Sequence, residues 1–115
     1  MADNIRIYHN PRCRKSRETL DIIKNKGIEP EIIEYLSDIP SEKQIADLIG
    51  MLGISPKELI RKNEIEFKPY KDQTLSDQEY ISLMHRIPKL IERPIVVKGN
   101  MAVIGRPPEK VIEFI

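Results

Sequence analysis

The chain has 115 residues, enough for one domain with a real core and too few for two independent ones. Its 19 Lys and Arg stand against 18 Asp and Glu, and neither end carries a long single-sign block, so general attraction to nucleic acid or to a membrane surface is not indicated. The opening MADNIRIYHN has no apolar core of signal-peptide length, no window approaches a membrane span, and one cysteine excludes an internal disulfide; the expectation is a soluble cytoplasmic protein.

Taken in chain order, Ile5 to Tyr8 alternates as IRIY, a short strand pattern that stops at Asn10-Pro11. Leu20, Ile22 and Ile23 then follow at spacings that suit a helix, with Lys24, Lys26 and Gly27 in the order of a last turn and its C′ residue. The isoleucine-rich EIIEY, Glu31 to Tyr35, reads as a strand, and a strand-helix-strand unit of this length implies a parallel pair. Three helix starts come next. Ser41 with Gln44 and Ser76 with Glu79 form capping boxes, and Ser55-Pro56 with Glu58 repeats the signal with proline at N1. PIVV, Pro94 to Val97, and MAVI, Met101 to Ile104, flank the turn residues Gly99-Asn100 as a hairpin, and Pro107-Pro108 introduces a last helix, KVIEFI. The resulting order, β-α-β, a helical insert over 37–91, then β-β-α, predicts a single α/β thioredoxin-like domain over 1–115.

The chemistry concentrates in YHNPRCRKSR. Cys13, the only cysteine, falls in a polar loop after a strand and at a helix N-terminus, where backbone N–H groups and the helix dipole favour an anion. Arg12, Arg14, Lys15 and Arg17 crowd it, and such cations lower a thiol pKa from its free value of about 8.5 toward the nucleophilic thiolate. Ser16 either turns its hydroxyl to the sulfur or is an ordinary first-turn serine bonded to backbone. His9 is either a second stabiliser of the thiolate or a loop histidine. No zinc-type spacing and no glycine-rich phosphate loop occurs, so no metal or bound cofactor is expected. Arg61, Arg93 and Arg106, by composition alone, read as solvated surface cations.

The segments YHNPRCRKSRETL, LIRKN from Leu59 to Asn63, ERPIVV from Glu92 to Val97 and GRPPE from Gly105 to Glu109 change that reading. In matching order and similar spacing, across nearly the whole chain, they resemble the glutaredoxin-coupled arsenate reductase family. The resemblance implies a thioredoxin-like fold with a helical insert and reduction of arsenate to arsenite, with glutathione as co-substrate and glutaredoxin as partner. By position, Cys13 matches the family's nucleophile, Ser16 the hydroxyl supporting its thiolate and His9 the histidine held close by. Arg61, Arg93 and Arg106 match the arginines that hold the oxyanion, and Pro94 matches a proline expected to be cis. Spx-type regulators, which contact RNA polymerase, share this fold and similar segments, although many of those carry C-x-x-C where this chain has Ser16 in the fourth position. A glutathione-dependent thiol enzyme acting on another substrate is a third reading. A phosphatase-type C-x5-R loop is excluded, because Thr19 occupies the arginine position.

Overall fold

The alternation in IRIY places Ile5 and Ile7 in the core as strand β1, Ile5–Tyr8, in a computed structural model that describes residues 4–115. Met1, Ala2 and Asp3 of the amino-terminal stretch read above lie outside the described residues. By its internal contacts the chain divides into two compact units. One holds the described residues up to Asp38 together with Arg93–Ile115, and the other is Ile39–Glu92.

The first unit is a four-stranded sheet of order β2-β1-β3-β4, with β2 at Glu31–Ile33, β3 at Ile95–Lys98 and β4 at Met101–Ile104. β1 pairs parallel with β2, Ile7 opposite Ile32, and antiparallel with β3, Ile7 opposite Val96. β3 turns back on β4 through Gly99, whose φ of 59° lies in the left-handed region that glycine adopts without a Cβ penalty. Helix α1, Arg14–Asn25, supplies the crossover from β1 to β2, and α4, Lys110–Phe114, packs against α1 and β4. Ile5, Ile7, Ile23, Val96 and Val111 form the buried cluster, bordered by Leu20, Ile28, Val103 and Phe114. Each such side chain contributes roughly 1.5–3 kcal/mol by leaving water. This is the thioredoxin-like α/β arrangement expected from the element order.

The second unit contains α2, Glu42–Leu52, and α3, Asp77–Arg86, packed on each other. Both begin with the reciprocal bonds their sequences predict: Ser41 Oγ accepts from the Gln44 backbone and Gln44 returns to the Ser41 N–H at 2.8 Å, and Ser76 with Glu79 does the same. Gly53, at φ 69°, ends α2 in a left-handed C-cap.

Two expected elements come out differently. The Ser55-Pro56 start signal forms its capping box but yields only a single 3-10 turn, Pro56–Leu59, rather than a helix. The reason lies further along the chain: Ile60 bridges to Ile91, Arg61 N–H donates to the Leu90 carbonyl at 2.7 Å and Glu92 N–H donates to that of Leu59 at 2.8 Å. Backbone groups engaged in that ladder are not available to a continuing helix. The strand expected over Glu31 to Tyr35 stops at Ile33, because Ser37 and Asp38 N–H groups both fold back onto the Glu34 carbonyl. Among the described residues, no helix is long and apolar enough to cross a membrane.

Candidate active site

The site grows from the β1–α1 connection. Cys13 is the N-cap of α1, with extended backbone (φ −93°, ψ 122°), and its N–H donates to the Asn10 carbonyl at 2.9 Å. Asn10 is buried and closes the loop a second time, its Oδ1 accepting from Arg12 N–H at 3.0 Å in an Asx-type turn. The loop therefore holds Cys13 at the helix N-terminus through local hydrogen bonds.

Ser16 and His9, left open by the sequence, form a buried pair behind this loop. Ser16 Oγ lies 2.7 Å from His9 Nδ1 and accepts from Asn10 N–H at 3.0 Å. The hydroxyl is thus engaged by the histidine and the loop backbone. It is the Ser16 backbone N–H that acts on the sulfur: it lowers the thiol pKa without closing a full cap hydrogen bond. The His9 pKa is lowered from the ordinary value, chiefly by burial and further by the charges of Arg17 and Lys24, against an opposing pull from Glu34. Near neutral pH the ring is then uncharged, so His9 acts through its hydrogen bond to Ser16 rather than as a cation beside the sulfur.

Arg93 and Arg106 do reach the cysteine. Arg106 Nη2 donates to Cys13 Sγ at 3.5 Å, and its Nε donates to the Arg93 carbonyl at 2.7 Å. Arg93 is itself buried, 8% exposed. Burial pushes the Cys13 thiol pKa up, but the Ser16 N–H, a hydrogen bond from Arg93 and the charges of Arg93 and Arg106 outweigh it, and the net shift is downward. Of the four sequence neighbours expected to do this work, three are engaged elsewhere and the fourth is exposed. Arg14 pairs with Glu18 at 3.0 Å, Lys15 lies 4.0 Å from the same carboxylate, Arg17 donates to the Pro11 carbonyl, and Arg12 is exposed. Cations adjacent in sequence point outward from the first turn of a helix, whereas the ones that meet the sulfur arrive from the loops flanking β3 and β4.

A depressed thiol pKa has two measurable consequences. Alkylation of Cys13 by iodoacetamide is expected to persist well below the free-thiol range of about 8.5, because only the thiolate reacts. A rate that rises only around that value would remove the activated-cysteine assignment. Since the folded pKa lies below the unfolded one, the thiolate's contribution to stability is full above the unfolded pKa and is lost as pH falls through the folded value.

Arg61 belongs to the second unit. There its Nη1 lies 3.4 Å from Glu64 and its Nε 3.2 Å from Glu92.

Two residues outside the sequence-based site set position Arg106. The chain approaches it through Gly105, whose N–H donates to the Pro94 carbonyl at 2.9 Å. A Cβ at Gly105 would stand 2.7 Å from Thr19 Oγ1 and 3.0 Å from Pro94 Cγ. Thr19 is buried and fixed by its own bond to the Lys15 carbonyl, so it has little room to yield. Gly105→Ala is accordingly expected to destabilise the fold by roughly 1–3 kcal/mol, the usual cost of overpacking. It is also expected to raise the Cys13 pKa by displacing Arg106. Chemical denaturation and the alkylation profile check the two effects; unchanged values in both would show that the contact relaxes freely. The bonds before Pro94 and Pro107 are both cis, the first as the family resemblance implies.

A thioredoxin-like fold with one accessible, acidified thiol at a helix N-terminus under two arginines defines a class of single-cysteine thiol proteins. Residues 8–114 match the family model described as the ArsC family, and the chain belongs to that family. It is 43% identical to an "Arsenate reductase" from Escherichia coli over 97% of this chain and 81% of the relative. It is 46% identical to "Uncharacterized protein YfgD" of Escherichia coli (strain K12), over 100% of this chain and 99% of the relative. Among solved structures, "Arsenate reductase from Vibrio cholerae" superposes with a TM-score of 0.95 at 43% identity, covering 100% of both chains.

Proposed function

We propose that the protein is a cytoplasmic arsenate reductase that uses Cys13 as nucleophile and draws its electrons from glutathione, with glutaredoxin completing the cycle. The observation that carries this reading is the bond from Arg106 Nη2 to Cys13 Sγ, with Arg93 beside it, in a chain that matches proteins named arsenate reductase along nearly its whole length. Guanidinium groups suit a tetrahedral oxyanion because each offers paired donors and stays charged. They also reduce the repulsion a thiolate meets when it approaches an anion. Arg93 and Arg106 are assigned to the substrate on this chemistry, and Arg61 on the family resemblance alone. His9 and Ser16 fix the loop that presents the sulfur.

In the proposed cycle the Cys13 thiolate displaces one arsenate oxygen, which leaves as water after protonation, and an S–As bond forms. Glutathione then attacks the adduct. Its sulfur and that of Cys13 join as a mixed disulfide, and the electron pair released takes arsenic from As(V) to As(III), which departs as arsenite. With no second cysteine in the chain, the reductant has to come from outside. Thiol exchange with glutaredoxin removes the glutathionyl group and restores Cys13. The test is a coupled assay with pure protein, arsenate, glutathione and glutaredoxin, following NADPH consumption through glutathione reductase. Turnover at the no-protein background would overturn the reading, and co-purification of an RNA polymerase subunit in that case would favour the regulator instead.

A further inference from the structure

Tyr35 stands just past β2, on the turn that Glu34 closes with Ser37 and Asp38. The parallel pairing of β1 and β2 runs one step beyond the strands, His9 N–H donating to the Ile33 carbonyl at 2.8 Å, so the residues after Ile33 run alongside the Asn10 loop. The side chain is 1% exposed, and its hydroxyl closes no hydrogen bond among the described residues. A buried hydroxyl left in that state carries the full desolvation cost of the group, so a structure that retains one calls for an explanation.

The surroundings supply it. The side chains that act on the Tyr35 hydroxyl are Arg93, Asn10 and Cys13. A guanidinium has donors only. The Asn10 carbonyl oxygen is already turned to the Arg12 N–H. Neither closes a hydrogen bond with the phenolic oxygen, and the proton it holds has no acceptor. Burial, the largest influence, pushes the Tyr35 pKa up to about 12, so the proton stays in place throughout the neutral range. What remains is a fixed neutral donor, without an acceptor, beside the sulfur and one of the arginines assigned to the oxyanion.

We propose that Tyr35 is a further substrate-binding residue, its hydroxyl donating a hydrogen bond to an oxygen of the tetrahedral oxyanion held over Cys13. This rests on the oxyanion reading given above and adds to it a neutral donor that distinguishes bound anion from empty site. Tyr35→Phe removes that donor and little else. The readout is protection of Cys13 from iodoacetamide by arsenate, titrated on the intact protein without glutathione, together with the alkylation pH profile and the melting temperature. The concentration of arsenate giving half-protection is expected to rise about tenfold or more, in keeping with loss of a hydrogen bond to a charged acceptor. The pH profile without arsenate is expected to stay as in the wild type, and the melting temperature to stay level or rise, since an unpartnered buried hydroxyl is removed.

Undiminished protection in Tyr35→Phe, with the wild type protected, would overturn the Tyr35 proposal alone. A shifted pH profile with unchanged protection would also overturn it, by making the thiolate itself the acceptor. A lower melting temperature with unchanged protection would assign the hydroxyl to structure. Absence of protection in the wild type would overturn the oxyanion reading and the Tyr35 proposal together.

Discussion

Cys13→Ser is expected to bring glutathione-dependent arsenate turnover down to background while changing stability by no more than about 1 kcal/mol. Two independent chemical reasons make the loss complete. A serine hydroxyl remains protonated under conditions in which this thiol ionises, because its acidity is far too weak for Arg93, Arg106 and the Ser16 N–H to compensate. An oxygen also cannot pair with glutathione as a disulfide, so even a slow adduct would have no route for its electrons. Stability survives because the residue is only partly buried and its place as N-cap suits serine at least as well as cysteine. NADPH consumption in the coupled assay, with a melting curve alongside, checks both halves. Residual turnover clearly above background would mean that another group carries the reaction.

Arg106→Ala is expected to lower kcat/KM for arsenate by about 10²- to 10³-fold, the usual consequence of removing one donor to developing negative charge. The mutation removes the bond to Sγ at 3.5 Å as well as a charge that lowers the thiol pKa, so the alkylation profile is expected to move to higher pH in parallel. Arg106→Lys is expected to recover only part of the loss. A single ammonium is a point charge and cannot keep the fork that joins the Arg93 carbonyl through Nε to the sulfur through Nη2. Arg106 is the cleaner probe of the pair, because Arg93 is buried and its truncation would also leave a hole in the packing. A large drop in melting temperature with unchanged kinetics would assign Arg106 to structure.

Several features are legible in the sequence because their causes are local. The alternation of IRIY, the capping boxes at Ser41 and Ser76, the turn at Gly99 and the placement of Cys13 at the head of α1 each depend on residues within a few positions of one another. The same kind of signal at Ser55 misled about length. Its capping box is present, but pairing between the Leu59–Arg61 and Leu90–Glu92 stretches ends the helix after one turn. Tyr35 likewise reads as a strand residue from its isoleucine neighbours, whereas it lies on the turn after β2. Nothing in the order of residues says that its hydroxyl would be enclosed beside donors.

The sequence by itself determined that a single thiol caps a helix after a strand, and that this chain offers it no second cysteine as partner. Only the tertiary structure decided which cations meet that sulfur. Arg14, Lys15 and Arg17, its neighbours along the chain, are held by Glu18 and Pro11, while Arg106, 93 positions away, donates to it. The physical reason is geometric: side chains next to an N-cap fan outward from the helix, and the space in front of the cap is filled by chain that the sheet carries back to it. There, contact depends on strand pairing and on close approaches such as that at Gly105, none of which composition or spacing records.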